Sequence, residues 1–164
     1  MIFVTVGTQL PFPRLLQMFA AAVPRMVDSA FAQTADPTYR GPIPSVAFMT
    51  RPEFEETYAR ATLVVGHAGT GTILAARRHG KPLIVVPRRH DLGEHRNDHQ
   101  VETALQLRRL GEGAVCEDAE QLARALAAPP ALSVQRDGPE KARLVANLRG
   151  VVEEVLGKPR DQSS

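Results

Sequence analysis

The stretch TLVVGHAGTGTILAARRHGKPLIVVP, residues 62–87, decides the fold class. TLVVG (62–66) is a short β-branched run that reads as a buried strand. TGTILAARRHG (70–80) has apolar residues at helical spacing. It stops at Gly80 with Arg77, Arg78 and His79 in its last turn, where the helix dipole favours cations. KPLIVVP (81–87) is the clearest strand pattern of the chain.

The same alternation continues outward in both directions. IFVTV (2–6) reads as a strand ending at Gly7, followed by a helix over FPRLLQMFAAAVPRM (12–26), with Pro11 and Pro13 at its entrance. SAFAQTA (29–35) is a weaker strand pattern, DPTYRGPIP (36–44) a loop and SVAFM (45–49) a better strand. RPEFEETYARA (51–61) is a short helix with Pro52 in its first turn. EHRNDHQVETALQLRRLG (94–111) reads as a long amphipathic helix ending at Gly111, and GAVCE (113–117) as a strand. DAEQLARALAA (118–128) opens with Asp118 as N-cap and Gln121 three residues on. Pro129 and Pro130 break it. GPEKARLVANLRGVVEEVL (138–156) is a last helix, and 157–164 reads as a disordered tail after a single domain over 1–156.

Strands alternating with helices imply an α/β fold: a doubly wound, Rossmann-like parallel sheet with helices on both faces. Ligands of such sheets bind at the carboxyl ends of the strands. That rule selects Gly7-Thr8-Gln9, the loop from His67 to Thr72, and the segment from Pro87 to His99.

Composition narrows the function. The chain has 164 residues, 43% of them hydrophobic, and a formal charge of +2. It has no Trp and only 5% aromatic residues, which argues against a nucleic-acid partner that needs a basic face with stacking aromatics. Cys116 is the only cysteine, so neither a disulfide framework nor a thiolate metal site can form within one chain, and it reads as a half-buried strand residue. No apolar run reaches the roughly 18 residues of a membrane span. MIFVTVG lacks the basic start and long apolar core of a signal peptide. A soluble, cytoplasmic protein is expected.

The loop GHAGTG has glycines at 66, 69 and 71. It is neither a P-loop nor G-x-G-x-x-G. It lies where a strand feeds a helix, a position whose backbone N–H groups favour an anion. Thr70 and Thr72 can add hydroxyl donors, which suits a diphosphate. A tight turn with Thr70 as N-cap is the alternative. PRRHDLGEHRNDHQ (87–100) is dense in charge. Arg88 and Arg89 directly follow a strand and can face a diphosphate. His95 and His99, four apart on one helical face with His90 nearby, have a spacing that can chelate a metal. Asp91, Glu94 and Asp98 more simply pair with Arg88, Arg89 and Arg96, so neither metal nor other cofactor is expected. There is no G-x-S-x-G elbow and no D-x-D.

MIFVTVGTQ-PF, LVVGHAGTGTILAARRHGKPLIVVPRR and GEHRNDHQ together resemble the C-terminal domain of glycosyltransferase family 28, over about residues 1–128. Within it the chain is most similar to the PssE-like small subunits of two-component transferases. The resemblance implies the C-terminal, donor-binding half of a GT-B fold split across two chains. It implies a UDP-sugar donor, a polyprenyl-linked saccharide acceptor, inversion at the anomeric centre, and a membrane-anchored partner that holds the acceptor. Through that partner the chain would sit at the inner face of the membrane. Position by position, Gly7, Thr8 and Gln9 match the family's diphosphate turn. Thr70, Gly71 and Thr72, preceded by Gly69, match its phosphate and nucleoside loop. His99 and Gln100 match the pair that bonds the donor sugar. Arg88, Arg89, Glu94 and His95 belong to the subgroup signature without an assigned role, and His67 is typical of the split subgroup. Ala75 departs from the family's Glu, whose carboxylate accepts the ribose hydroxyls. A missing contact of that kind weakens binding by about 1–3 kcal/mol.

The expected function is therefore the donor subunit of a transferase active with a partner chain. Glucuronate is the expected sugar in exopolysaccharide synthesis, with GlcNAc as runner-up. The catalytic base is expected from the partner, with His67 the one candidate within the chain. A non-catalytic nucleotide-sugar-binding module is the rival reading. An NAD binder is disfavoured by the missing G-x-G-x-x-G.

Overall fold

A computed structural model describes residues 1–23 and 29–131. The expected helix over 138–156, the tail and the boundary at 156 lie outside the described residues, as does the end of the first expected helix. Six strands form one parallel sheet: β1 (Ile2–Thr5), β2 (Ala30–Gln33), β3 (Ser45–Val46), β4 (Leu63–His67), β5 (Leu83–Val86) and β6 (Ala114–Val115), in the order β3-β2-β1-β4-β5-β6. Among the described residues five helices connect or flank them: α1 (Pro13–Ala22), α2 (Arg51–Arg60), α3 (Thr70–Arg78), α4 (His99–Leu110) and α5 (Ala119–Ala127). None of the described helices is long and apolar enough to cross a membrane.

The strand period of two sorts the core into two layers. Ile2, Val4, Val65, Ile84 and Val86 meet Leu15, Leu16 and Phe19 of α1 and Leu122 of α5. Phe3, Val64, Leu83 and Val85 meet Tyr58 of α2, Ile73 and Ala76 of α3, and Ala104 and Leu107 of α4. The central strands are buried on both faces, so they read as near-continuous apolar runs rather than alternating ones, with polar Thr5 and His67 only at the carboxyl ends of β1 and β4.

Local signals set the helix ends. Thr50 and Glu53 form a reciprocal capping box at α2. Thr50→Ala should lower stability by about 1 kcal/mol in urea denaturation, with no effect on ligand binding. Asp118 caps α5 by accepting from the Gln121 N–H at 2.7 Å. Gly111 ends α4 in the left-handed conformation, φ 65°.

Two elements differ from expectation. The alanine-rich β2 lies inside the sheet, while the better-looking 45–49 segment supplies only the exposed edge pair Ser45–Val46. Burial beside β1 outweighs β propensity there. Helix α4 starts at His99, not at residue 94. The polar side chains of 94–98 are drawn into local bonds that compete with helix: Asn97 Oδ1 accepts from the His99 N–H and Asp98 Oδ1 from the His90 N–H. His95 and His99 therefore do not share a helical face. Among the described residues no three His, Cys, Asp or Glu side chains converge as metal ligands.

Candidate functional site

The strand order reverses between β1 and β4, so the crevice at their carboxyl ends is the topological switch point of the sheet. Two expected ligand segments meet there, the Gly7 turn and the β4–α3 loop, with the His67 ring between them. A Cβ on Gly7 would lie 2.7 Å from His67 Cε1, and Gly7 has φ +82°. A Cβ on Gly69 would overlap His67 Nε2, and one on Gly66 would lie 2.8 Å from Thr72 Cγ2. These three glycines are thus explained by packing within the chain. Gly71 is not: nothing lies within 4 Å of a Cβ placed there, and its φ is not left-handed.

Gly69, rather than Thr70, is the N-cap of α3, and no side chain caps that end. The alternative with Thr70 as N-cap is thereby corrected. The N–H groups of Thr70, Gly71 and Thr72 point off an uncapped helix start. The Thr72 hydroxyl pairs with His67 Nδ1 at 3.2 Å. Burial and then the Arg88 charge push the His67 pKa down to about 4, so the ring is neutral at pH 7.

The Gly7 turn is held from below by a closed set of bonds. The Thr5 hydroxyl donates to Gln33 Oε1 at 2.7 Å, Gln33 Nε2 donates to the Gly7 carbonyl at 3.1 Å, and the Gly7 N–H donates to Thr5 Oγ1 at 3.3 Å. Thr5 and Gln33 were not singled out from sequence. The available signal was a glutamine in a strand that must bury both faces. Thr8 and Gln9 are exposed at the tip of the turn.

The β5–α4 segment is organised differently from expectation. Arg88 is only 3% exposed. Its guanidinium donates to the carbonyls of Pro11 (2.8 Å), Val6 (3.0 Å) and Leu10 (2.6 Å) and lies 4.4 Å over the Phe12 ring. The expectation that Arg88 faces a diphosphate is corrected, because its donors are committed to the β1–α1 loop. Glu94 does not pair with the guanidiniums of its own segment, although it accepts one backbone N–H there. Its carboxylate takes Arg14 Nε at 2.7 Å and Nη2 at 2.8 Å, together with the Arg89 N–H at 3.0 Å. Arg89 is exposed and paired with Asp91.

His99 projects from the first turn of α4 with its side chain 74% exposed, 3.3 Å from Glu102. Gln100, beside it, is buried. Its Oε1 accepts the Arg88 N–H at 3.2 Å, and no acceptor among the described residues takes its amide N–H groups. Ala75 is 4% exposed within the apolar layer that contains Phe3 and Tyr58. A carboxylate there would have to be desolvated. Cys116 is fully rather than half buried, and burial pushes its thiol up to about 11, so it stays protonated.

Known proteins share both the sequence and the fold. Residues 1–129 match the model of the glycosyltransferase family 28 C-terminal domain. A UDP-N-acetylglucosamine–N-acetylmuramyl-(pentapeptide) pyrophosphoryl-undecaprenol N-acetylglucosamine transferase of Deinococcus deserti is 42% identical over 60 residues, 37% of this chain and 15% of that protein. The chain spans only about a fifth or less of the length of the curated relatives it matches, 15% and 21%. The crystal structure of the calicheamicin glycosyltransferase CalG4 superposes with a TM-score of 0.63 at 20% identity, over 94% of this chain and 43% of that one. The NMR structure of ALG13 does so with a TM-score of 0.54 at 19% identity, over 87% of this chain and 93% of that one.

Proposed function

We propose, from the premise that this chain belongs to the glycosyltransferase family 28 C-terminal domain family, that it is the donor-binding half of an inverting transferase acting on a UDP-sugar. The observation that carries this reading is the start of α3. An uncapped helix N-terminus opens at the switch point, with a glycine at 71 that neither packing nor φ requires. A diphosphate laid across Thr70, Gly71 and Thr72 gives that glycine a reason, since its missing Cβ lets backbone N–H groups reach the phosphates. The leaving UDP is then stabilised by the helix start and the Gly7 turn. His99 and the unused amide of Gln100 bond the sugar.

The acceptor half, the catalytic base and membrane attachment come from a partner chain. ALG13 has a similar length and fold. His67 is not the base in this reading, because its ring is wedged between Gly7 and Gly69 and engages Thr72. Glucuronate transfer to a polyprenyl-linked saccharide in exopolysaccharide synthesis is our first reading, and it rests on the PssE-like motifs. GlcNAc is the second, supported by the name of the Deinococcus relative.

Calorimetry with UDP, UDP-glucuronate, UDP-GlcNAc and NAD tests this. Uridine nucleotides should bind and NAD should not. Gly71→Ala is the sharper form. It should stabilise the fold by about 0.4–1 kcal/mol while weakening UDP by at least about tenfold. A stabilised variant with unchanged affinity would place the diphosphate elsewhere.

A further inference from the structure

Two arginines cross between the loops that frame the site, each holding main chain of the other's segment. Arg88 leaves the end of β5 and binds the carbonyls of Val6, Leu10 and Pro11. Arg14 leaves the first turn of α1 and binds the Pro87 carbonyl at 2.8 Å and the Glu94 carboxylate. The Phe12 ring lies under both guanidiniums, 4.4 Å from Arg88 Cζ and 5.3 Å from Arg14 Cζ. The Arg88 backbone N–H also binds Gln100. One residue thus connects the Gly7–Gln9 turn to the start of α4.

We propose that Arg14 and Arg88 are positioning residues, a reciprocal clamp that fixes the separation of the Gly7–Gln9 turn and the His99–Gln100 pair. The chemistry favours a geometric role. The Gly7–Pro11 loop has no regular structure of its own, and its Leu10 and Pro11 carbonyls converge with that of Val6 on one guanidinium. Only a planar fork of donors can serve all three and stack on Phe12; a lysine ammonium cannot. Burying Arg88 is costly, and no carboxylate bonds it directly among the described residues. An interior charge of this kind is a poor device for stability and a better one for holding a particular arrangement. Holding by carbonyls also leaves the side chains of Thr8 and Gln9 uncommitted. The consequence for a donor rests on the proposed function; the clamp itself does not.

The test uses Arg88→Lys, Arg88→Ala and Arg14→Lys in the full chain, with amide resonances followed by NMR and UDP affinity by calorimetry. In Arg88→Lys the amides of Gly7–Leu10 and of His99–Gln100 should shift and broaden together while those of Val64, Val65 and Ile84 stay. UDP affinity should fall at least about tenfold, the penalty of misplaced binding groups. Guanidinium ion should restore part of the affinity of Arg88→Ala. If the Arg88 variants do not fold, Arg14→Lys and Glu94→Gln carry the same resonance test from the more exposed end of the clamp. Shifts confined to 86–90, or loops that move with UDP affinity unchanged, would overturn the proposal. An unmodified chain that ignores UDP would defeat the donor reading alone, since the resonances still decide the clamp.

Discussion

Gly7→Ala is expected to destabilise the chain by about 2–4 kcal/mol, the largest effect of any single methyl addition near the site. Two independent terms add. The left-handed φ of +82° costs an alanine about 1–2 kcal/mol. The new Cβ would also lie 2.7 Å from His67 Cε1, and the ring has no free side to move to, because Gly69 bounds it and Thr72 holds its Nδ1. Gly69→Ala separates the terms. Gly69 has φ −84°, so only the clash with His67 remains, and about 1–3 kcal/mol is expected. In a His67→Ala background the cost of Gly69→Ala should fall below about 0.5 kcal/mol, while Gly7→Ala should keep its backbone part. Urea denaturation of the three single and two double variants decides it. Full additivity would mean that the imidazole does not set the spacing of the two loops.

Those glycines show how far sequence reasoning reached and where it stopped. The loop was readable as a special place, because small residues after a β-branched strand have few other uses. Its physical reason was only partly readable. Of the four glycines at the site, Gly7, Gly66 and Gly69 make room for His67 and Thr72, and Gly71 has open space around it. The double-sided core was equally plain in IFV, LVV and LIVV, since fully apolar short runs between helical patterns demand a buried parallel sheet. The weights of β2 and β3 came out reversed, because propensity describes a residue while position in the sheet decides its burial. The start of α4 was misplaced for a related reason: polar residues tolerated in a helix face were bonding locally. Arg88 differs from expectation because its partners are 77, 78 and 82 residues away. No local pattern distinguishes an arginine that reaches a ligand from one that reaches its own backbone.

His67 should make the fold acid-sensitive in a defined window. Its folded pKa of about 4 lies below the ordinary value of 6.5. As pH falls below 6.5 the unfolded chain takes up a proton that the folded chain refuses until about pH 4. The unfolded state therefore binds more protons across that interval, and stability drops as pH falls through it, then levels. The shift corresponds to about 3 kcal/mol. His67→Asn keeps a partner for Thr72 but cannot titrate. The fall in stability between pH 7 and pH 4 should be smaller in that variant by about this amount, while the carboxylates common to both proteins cancel in the difference. The His67 Cε1–H resonance gives the same answer directly, and a midpoint above pH 6 would mean that the ring is not enclosed. A diphosphate bound at the start of α3 would bring negative charge toward the ring and raise its pKa. UDP binding near pH 5 should then take up more protons in the unmodified chain than in His67→Asn, visible as a larger change of binding heat with the ionisation enthalpy of the buffer. At pH 7.5, far above the His67 pKa of about 4, that difference between the two proteins should be much smaller.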